Sequence, residues 1–122
     1  MLIAYWIVAG LLALAMLAAG AMKTVRPKPQ LHAAGMAWVE DFSATQVKLI
    51  GIAEVLGALG LVLPMLTGIA PILSPIAAAA LLVIMIGAAV VHVRRAEPPV
   101  PGMVLSALAA AATVLGLVVV QG

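Results

Sequence analysis

The sequence predicts an all-α fold, a bundle of four transmembrane helices with both termini on the outer side (N-out/C-out). Three observations carry this. Of the 122 residues, 66% are hydrophobic and 8% charged, against about 45–50% and about 25% in soluble domains. Too little polar surface remains to coat a soluble particle, and the same numbers exclude disorder, which needs low hydrophobicity and high charge. The apolar residues also gather into four runs near the ~20 residues that cross a bilayer, none with the period-two alternation of a membrane β-barrel. Finally, every basic residue falls in or beside two of the three connections. The length fits a single integral membrane domain, residues 1–122, with no room for a second.

The first span, about 2–22, carries no charge until Lys23 ends it. Its apolar run exceeds that of a secretory signal and lacks a basic n-region. The second, about 44–66, is signalled by Ser43-Ala44-Thr45-Gln46, a capping box in which Ser43 and Gln46 satisfy each other's backbone N–H. Phe42 and Val47 sit at the positions of a hydrophobic staple, and Glu40 and Asp41 suit the positive end of the helix dipole. The third, about 75–93, opens on Ser74 as N-cap and Pro75 at the first helical position. Pro98, Pro99 and Pro101 break the chain before the fourth, about 101–120. Lys23, Arg94 and Arg95 fall at helix C-termini, where positive charge is favoured.

Small residues mark the expected seams, because helices in lipid associate by close backbone approach. Gly51, Gly57 and Gly60 serve in the second span, Gly87 in the third, Ala9 with Ala13 in the first, and Ala112 with Gly116 in the fourth. The connection after the first span is basic and proline-stiffened from Lys23 to Pro29. It then turns apolar through Met36, Trp38, Val39 and Phe42, suiting an interfacial helix or a lid over a cavity. Tyr5 and Trp6 are expected at the opposite interface.

With four spans, the first and third connections share a face, so Lys23, Arg26, Lys28, Lys48, Arg94 and Arg95 all lie on one side. The positive-inside rule makes that side of a multi-pass membrane protein cytoplasmic. The net charge of +2 then needs no nucleic acid. It fits the bilayer itself as partner, with anionic head groups on the cytoplasmic face.

Nine of the ten charged residues are explained by that face, and Glu54 is the exception. Ten residues into the second span, it lies ~15 Å along the helix axis, where a charged carboxylate costs at least ~2.5–3.5 kcal/mol. It therefore needs a partner and reads either as an interhelical hydrogen bond or as a ligand or proton site. Lys48, six residues earlier, is about 120° away around the helix and is expected to snorkel to the head groups. His92, near the same end of the third span, is the preferred partner, and Lys23 is the alternative. No spacing of a nucleophile with a base, a zinc-protease helix or a phosphate loop occurs. The absence of cysteine removes disulfides and thiol redox chemistry.

The run Lys48-Leu49-Ile50-Gly51-Ile52-Ala53-Glu54-Val55-Leu56-Gly57-Ala58-Leu59-Gly60-Leu61-Val62-Leu63-Pro64 resembles the signature helix of the DoxX-like small membrane proteins. Gly20 and Lys23, Pro71 and Pro75, and Met85, Gly87, Ala88 and His92 follow in that family's order. The resemblance implies an accessory or partner-binding subunit of a membrane complex, redox or quinone-linked, rather than a catalyst on its own. No cofactor is certain, and a quinone or a lipid is the ligand class implied. A protein partner and a homo-oligomer are both compatible. The alternative is a small oligomeric proton-coupled transporter using Glu54, although such transporters carry their acid in the first span, which here has none.

Overall fold

Each of the four apolar runs is helical. A computed structural model describes residues 1–122, which form α1 (Leu2–Val25), α2 (Lys28–Ala33), a 3-10 turn (Ala37–Asp41), α3 (Ala44–Thr67), α4 (Leu73–Arg94) and α5 (Val100–Gln121). Of these, α1, α3, α4 and α5 are long and apolar enough to cross a membrane. α1 packs on α3 and α5, and α4 packs on the same two, so the four spans stand in a ring.

Local chemistry sets several boundaries. At α3 both halves of the capping box form. The Gln46 N–H donates to Ser43 Oγ at 3.0 Å, and the Ser43 N–H donates to Gln46 Oε1 at 2.9 Å. Buried Val47 packs with Phe42 beside it. α4 behaves differently, beginning at Leu73 with Ile72 as its N-cap. Ser74 turns into the bundle, where its hydroxyl accepts the Met65 N–H at 3.2 Å instead of capping its own helix. The reason lies across the interface, where Pro64 sits inside α3. A proline supplies no N–H and crowds the preceding turn, so this stretch of α3 takes polar contacts from its neighbours.

Tyr5 supplies another of them. It faces the bundle interior and is fully buried, and its hydroxyl donates to the Leu61 carbonyl at 2.6 Å. Trp6 packs edge-on against it at 5.5 Å. Tyr5→Phe keeps the ring but strips this carbonyl of its donor. The expected loss is about 1–2 kcal/mol of unfolding free energy, measured by denaturation in mixed micelles.

Between the spans lies an apolar core. Leu12 and Met16 of α1, Ala58 and Leu61 of α3, Leu81 and Met85 of α4, and Ala109 and Ala112 of α5 are all buried. Only 23 of 122 residues are buried in all. The outward faces, with Ile7, Leu14, Leu56, Val83 and Val114 exposed, are therefore surfaces for lipid, and interhelical contact rests on close packing.

That packing is tightest where α1 crosses α3. A Cβ added to Gly20 would lie 2.6 Å from the Gly51 carbonyl oxygen, and one added to Gly51 would lie 2.7 Å from the Gly20 carbonyl oxygen. Gly57 and Gly60 receive Leu81 and Ala77 of α4 just as closely, at 2.5 and 2.7 Å. Gly87 departs from the expectation of a seam, because a Cβ there would meet nothing within 4 Å. It borders empty space rather than a neighbouring helix.

The two charged connections meet at one end of the bundle. α2 stops at a turn through Gly35, whose φ of +99° suits a residue without a Cβ. Buried Leu31 and Val39 then pin this segment onto Val47. α4 ends in a Schellman-type turn, with the Glu97 N–H bonded to the His92 carbonyl and the Ala96 N–H to the Val93 carbonyl. This turn folds Glu97 back beside His92. Arg95 then reaches across to Asp41 at 2.7 Å, tying the α4–α5 connection to the α1–α3 connection.

Candidate functional site: a buried ion pair in an apolar cavity

The glycine crossing brings the site together. Gly20 lies against the Cβ of Glu54, and Gly51 lies against the Cβ of Lys23. Each glycine therefore makes room for the charged residue of the opposite helix. The result is an ion pair, Lys23 Nζ to Glu54 Oε1 at 2.6 Å, with side chains 11% and 1% exposed. The Lys23 ammonium also lies 5.3 Å from the centre of the Trp38 ring, a cation–π contact.

Lys23, not His92, is thus the partner of Glu54. His92 bonds through Nδ1 to Glu97 Oε1 at 3.0 Å, because the turn after α4 delivers that carboxylate to it. Lys48 is exposed and outside the site, as its position around the helix requires. Position along the span made His92 the expected partner, whereas the close approach of the α1 and α3 backbones decides the pairing. The sequence did contain the signal. Gly20 and Lys23 are spaced i, i+3 on one span, and Gly51 and Glu54 are spaced i, i+3 on the next, antiparallel one.

Around the pair is a cavity of about 420 Å³, bordered by all four spans and by the connection between α1 and α3. Ligand pockets commonly span ~300–1,000 Å³. Met16, Ile50, Ile84, Met85, Val91 and Leu105 supply much of its apolar wall, and Gly87 widens it. Trp38 and Phe42 contribute from the connecting segment, while Lys23, Glu54 and His92 supply its ionisable groups.

One oxygen here is unaccounted for. Glu54 Oε2 is buried and has no hydrogen-bond partner. Such an atom is uncommon, since buried polar groups are nearly all satisfied. Oε2 accepts a hydrogen bond if the carboxyl is ionised and can donate one if it is protonated. Either way one polar valence stands free on a buried residue that borders the apolar cavity. Such a wall suits a small, mainly apolar molecule with one hydrogen-bonding head.

The segment over this end is held by charges. Arg95 engages Asp41 at 2.7 Å and Glu97 at 3.3 Å, with Glu40 at 4.0 Å. The bond to Asp41, reinforced by Glu97, holds the guanidinium further into its charged range. Through Glu97, which binds both His92 and Arg95, the cavity wall connects to the segment carrying Trp38 and Phe42. His32 binds Glu40 at the outer edge, and Lys28 donates to the Phe42 carbonyl.

Fold and site together define a class, the small multi-pass membrane proteins in which four apolar helices enclose a cavity. Within it, the chain belongs to the DoxX-like family, whose model matches residues 7–119. No curated protein and no solved structure matches it.

Proposed function

We propose that this protein is a ligand-binding accessory component of a membrane complex. Its cavity takes a small apolar molecule, a quinone or a lipid, whose polar head bonds to Glu54. The observation that carries this is the unpartnered, buried Glu54 Oε2 on a residue that lines an apolar cavity. A purely structural strut would engage both oxygens, as burial of a carboxylate ordinarily demands. Lys23 orients the carboxyl, His92 offers its remaining ring nitrogen, and Trp38 borders the head-group end. The redox and quinone link draws on the DoxX-like family, as does the accessory role. The gathering of the basic residues at one end supports placing that end in the cytoplasm of a bacterial inner membrane, with both termini outside.

The reading is tested by titrating the protein in nanodiscs with decylbenzoquinone and decylhydroquinone, following Trp38 fluorescence. Saturable quenching is expected, weakened on the order of tenfold in Glu54→Gln, the weight of one hydrogen bond to a charged group. Quenching that is linear in ligand, or unchanged in Glu54→Gln, would overturn it. So would export of organic cations from proteoliposomes that Glu54→Gln abolishes, which is the behaviour of a proton-coupled transporter.

A further inference from the structure

The pairing of charges leaves a remainder in one place. The chain has six lysines and arginines and four acids. All four acids are engaged, Glu54 by Lys23, Glu40 by His32, Asp41 by Arg95, and Glu97 by His92 and Arg95. Arg26, Lys28, Lys48 and Arg94 have no carboxylate partner. Three of these four line a single pocket of about 390 Å³ between the end of α1, α2 and the start of α3. Lys23 forms part of its wall, and no acid does. Ala44, the first residue of α3, also borders it, adding the positive end of a helix dipole.

We infer that this pocket binds the phosphate of an anionic phospholipid, with Arg26 and Lys48 as its principal ligands. The shared chemistry is a phosphate anion, and two features assign it to a lipid. The pocket opens where apolar spans end, at the level of head groups. From Lys48 an exposed apolar stripe, Ile52, Leu56, Leu59 and Leu63, continues along α3 at helical spacing, a surface on which an acyl chain can lie. A basic pocket between membrane helices is a recognised form of anionic-lipid site. The pocket shares Lys23 with the Glu54 cavity, but its principal ligands, Arg26 and Lys48, line this pocket alone, and the inference does not depend on what that cavity holds.

The test is native mass spectrometry of the detergent-released protein with phosphatidylglycerol and phosphatidylcholine of identical chains. Phosphatidylglycerol is expected to be retained preferentially. Arg26→Gln with Lys48→Gln should reduce its retention on the order of tenfold, as expected for the loss of two surface cations facing an anionic head group. Both side chains are exposed, and the charge-preserving pair Arg26→Lys with Lys48→Arg should retain the lipid. Arg94→Gln removes the fourth unpaired cation, which lies outside this pocket, and should leave retention unchanged. Equal retention of phosphatidylcholine, undiminished retention in the double glutamine variant, or an equal loss in Arg94→Gln would each overturn the site. Binding of inorganic phosphate with no lipid retained would overturn its assignment to a lipid.

Discussion

Lys23→Met is expected to lower the unfolding free energy by about 3–5 kcal/mol, the usual consequence of removing one member of a buried ion pair. It leaves the Glu54 carboxyl fully buried with neither oxygen bonded. Glu54→Leu should be milder. The stranded lysine is long, already 11% exposed at its side chain, and at the end of α1, so it can swing its ammonium toward the head groups. The double variant should recover most of the loss, because two apolar side chains of similar volume replace a desolvated pair at little or no net cost. Reversible unfolding in mixed micelles measures all three. Additive losses in the double variant would show that the pair is not coupled as its 2.6 Å contact requires, and equal losses in both single variants would show that the stranded lysine does not escape to the head groups.

Gly51→Ala is expected to be among the most damaging changes of a single methyl group. Its Cβ would meet the Gly20 carbonyl oxygen and Lys23 Cβ, both at 2.7 Å. The first is backbone and cannot rotate away, so α1 and α3 must separate. The expected destabilisation is about 1–3 kcal/mol, the range for overpacking, together with a shifted Lys23–Glu54 contact. Gly87→Ala is the control, since its Cβ enters open space and alanine favours a helix over glycine by ~1 kcal/mol. It should be neutral or stabilising under the same denaturation. If both substitutions behave alike, close approach at Gly51 is not what holds α1 to α3.

These two predictions also mark how far the sequence could be read. The spans and the cap of α3 were legible because they depend on neighbours along the chain. Apolar length names a membrane helix, and Ser43 with Gln46 announces the start of α3. The importance of Glu54 was legible for the same reason, as a carboxylate too deep in an apolar run to reach water. Its partner was not, because choosing Lys23 over His92 depends on how closely α1 and α3 approach. That approach is set by Gly20 and Gly51, which act only across the interface. Gly87 shows the converse, since a glycine in a span marks either a seam or a void, and composition does not separate the two. Ser74 was misplaced for a related reason. It follows the local rule for an N-cap, but the irregularity that Pro64 introduces in α3 draws its hydroxyl inward, as it draws that of Tyr5.

Most direct for the cavity is mass spectrometry of what stays bound when the protein is extracted from its native membrane under mild conditions. Wild-type protein and the Lys23→Met/Glu54→Leu double variant should be compared, because the double variant keeps the fold while removing the polar head-group site. A quinone or other small lipid-like molecule retained by the wild type and lost from the double variant is the predicted result. A folded wild type that carries no such molecule, or a double variant that retains it equally, would contradict the assignment of Glu54 as its polar contact.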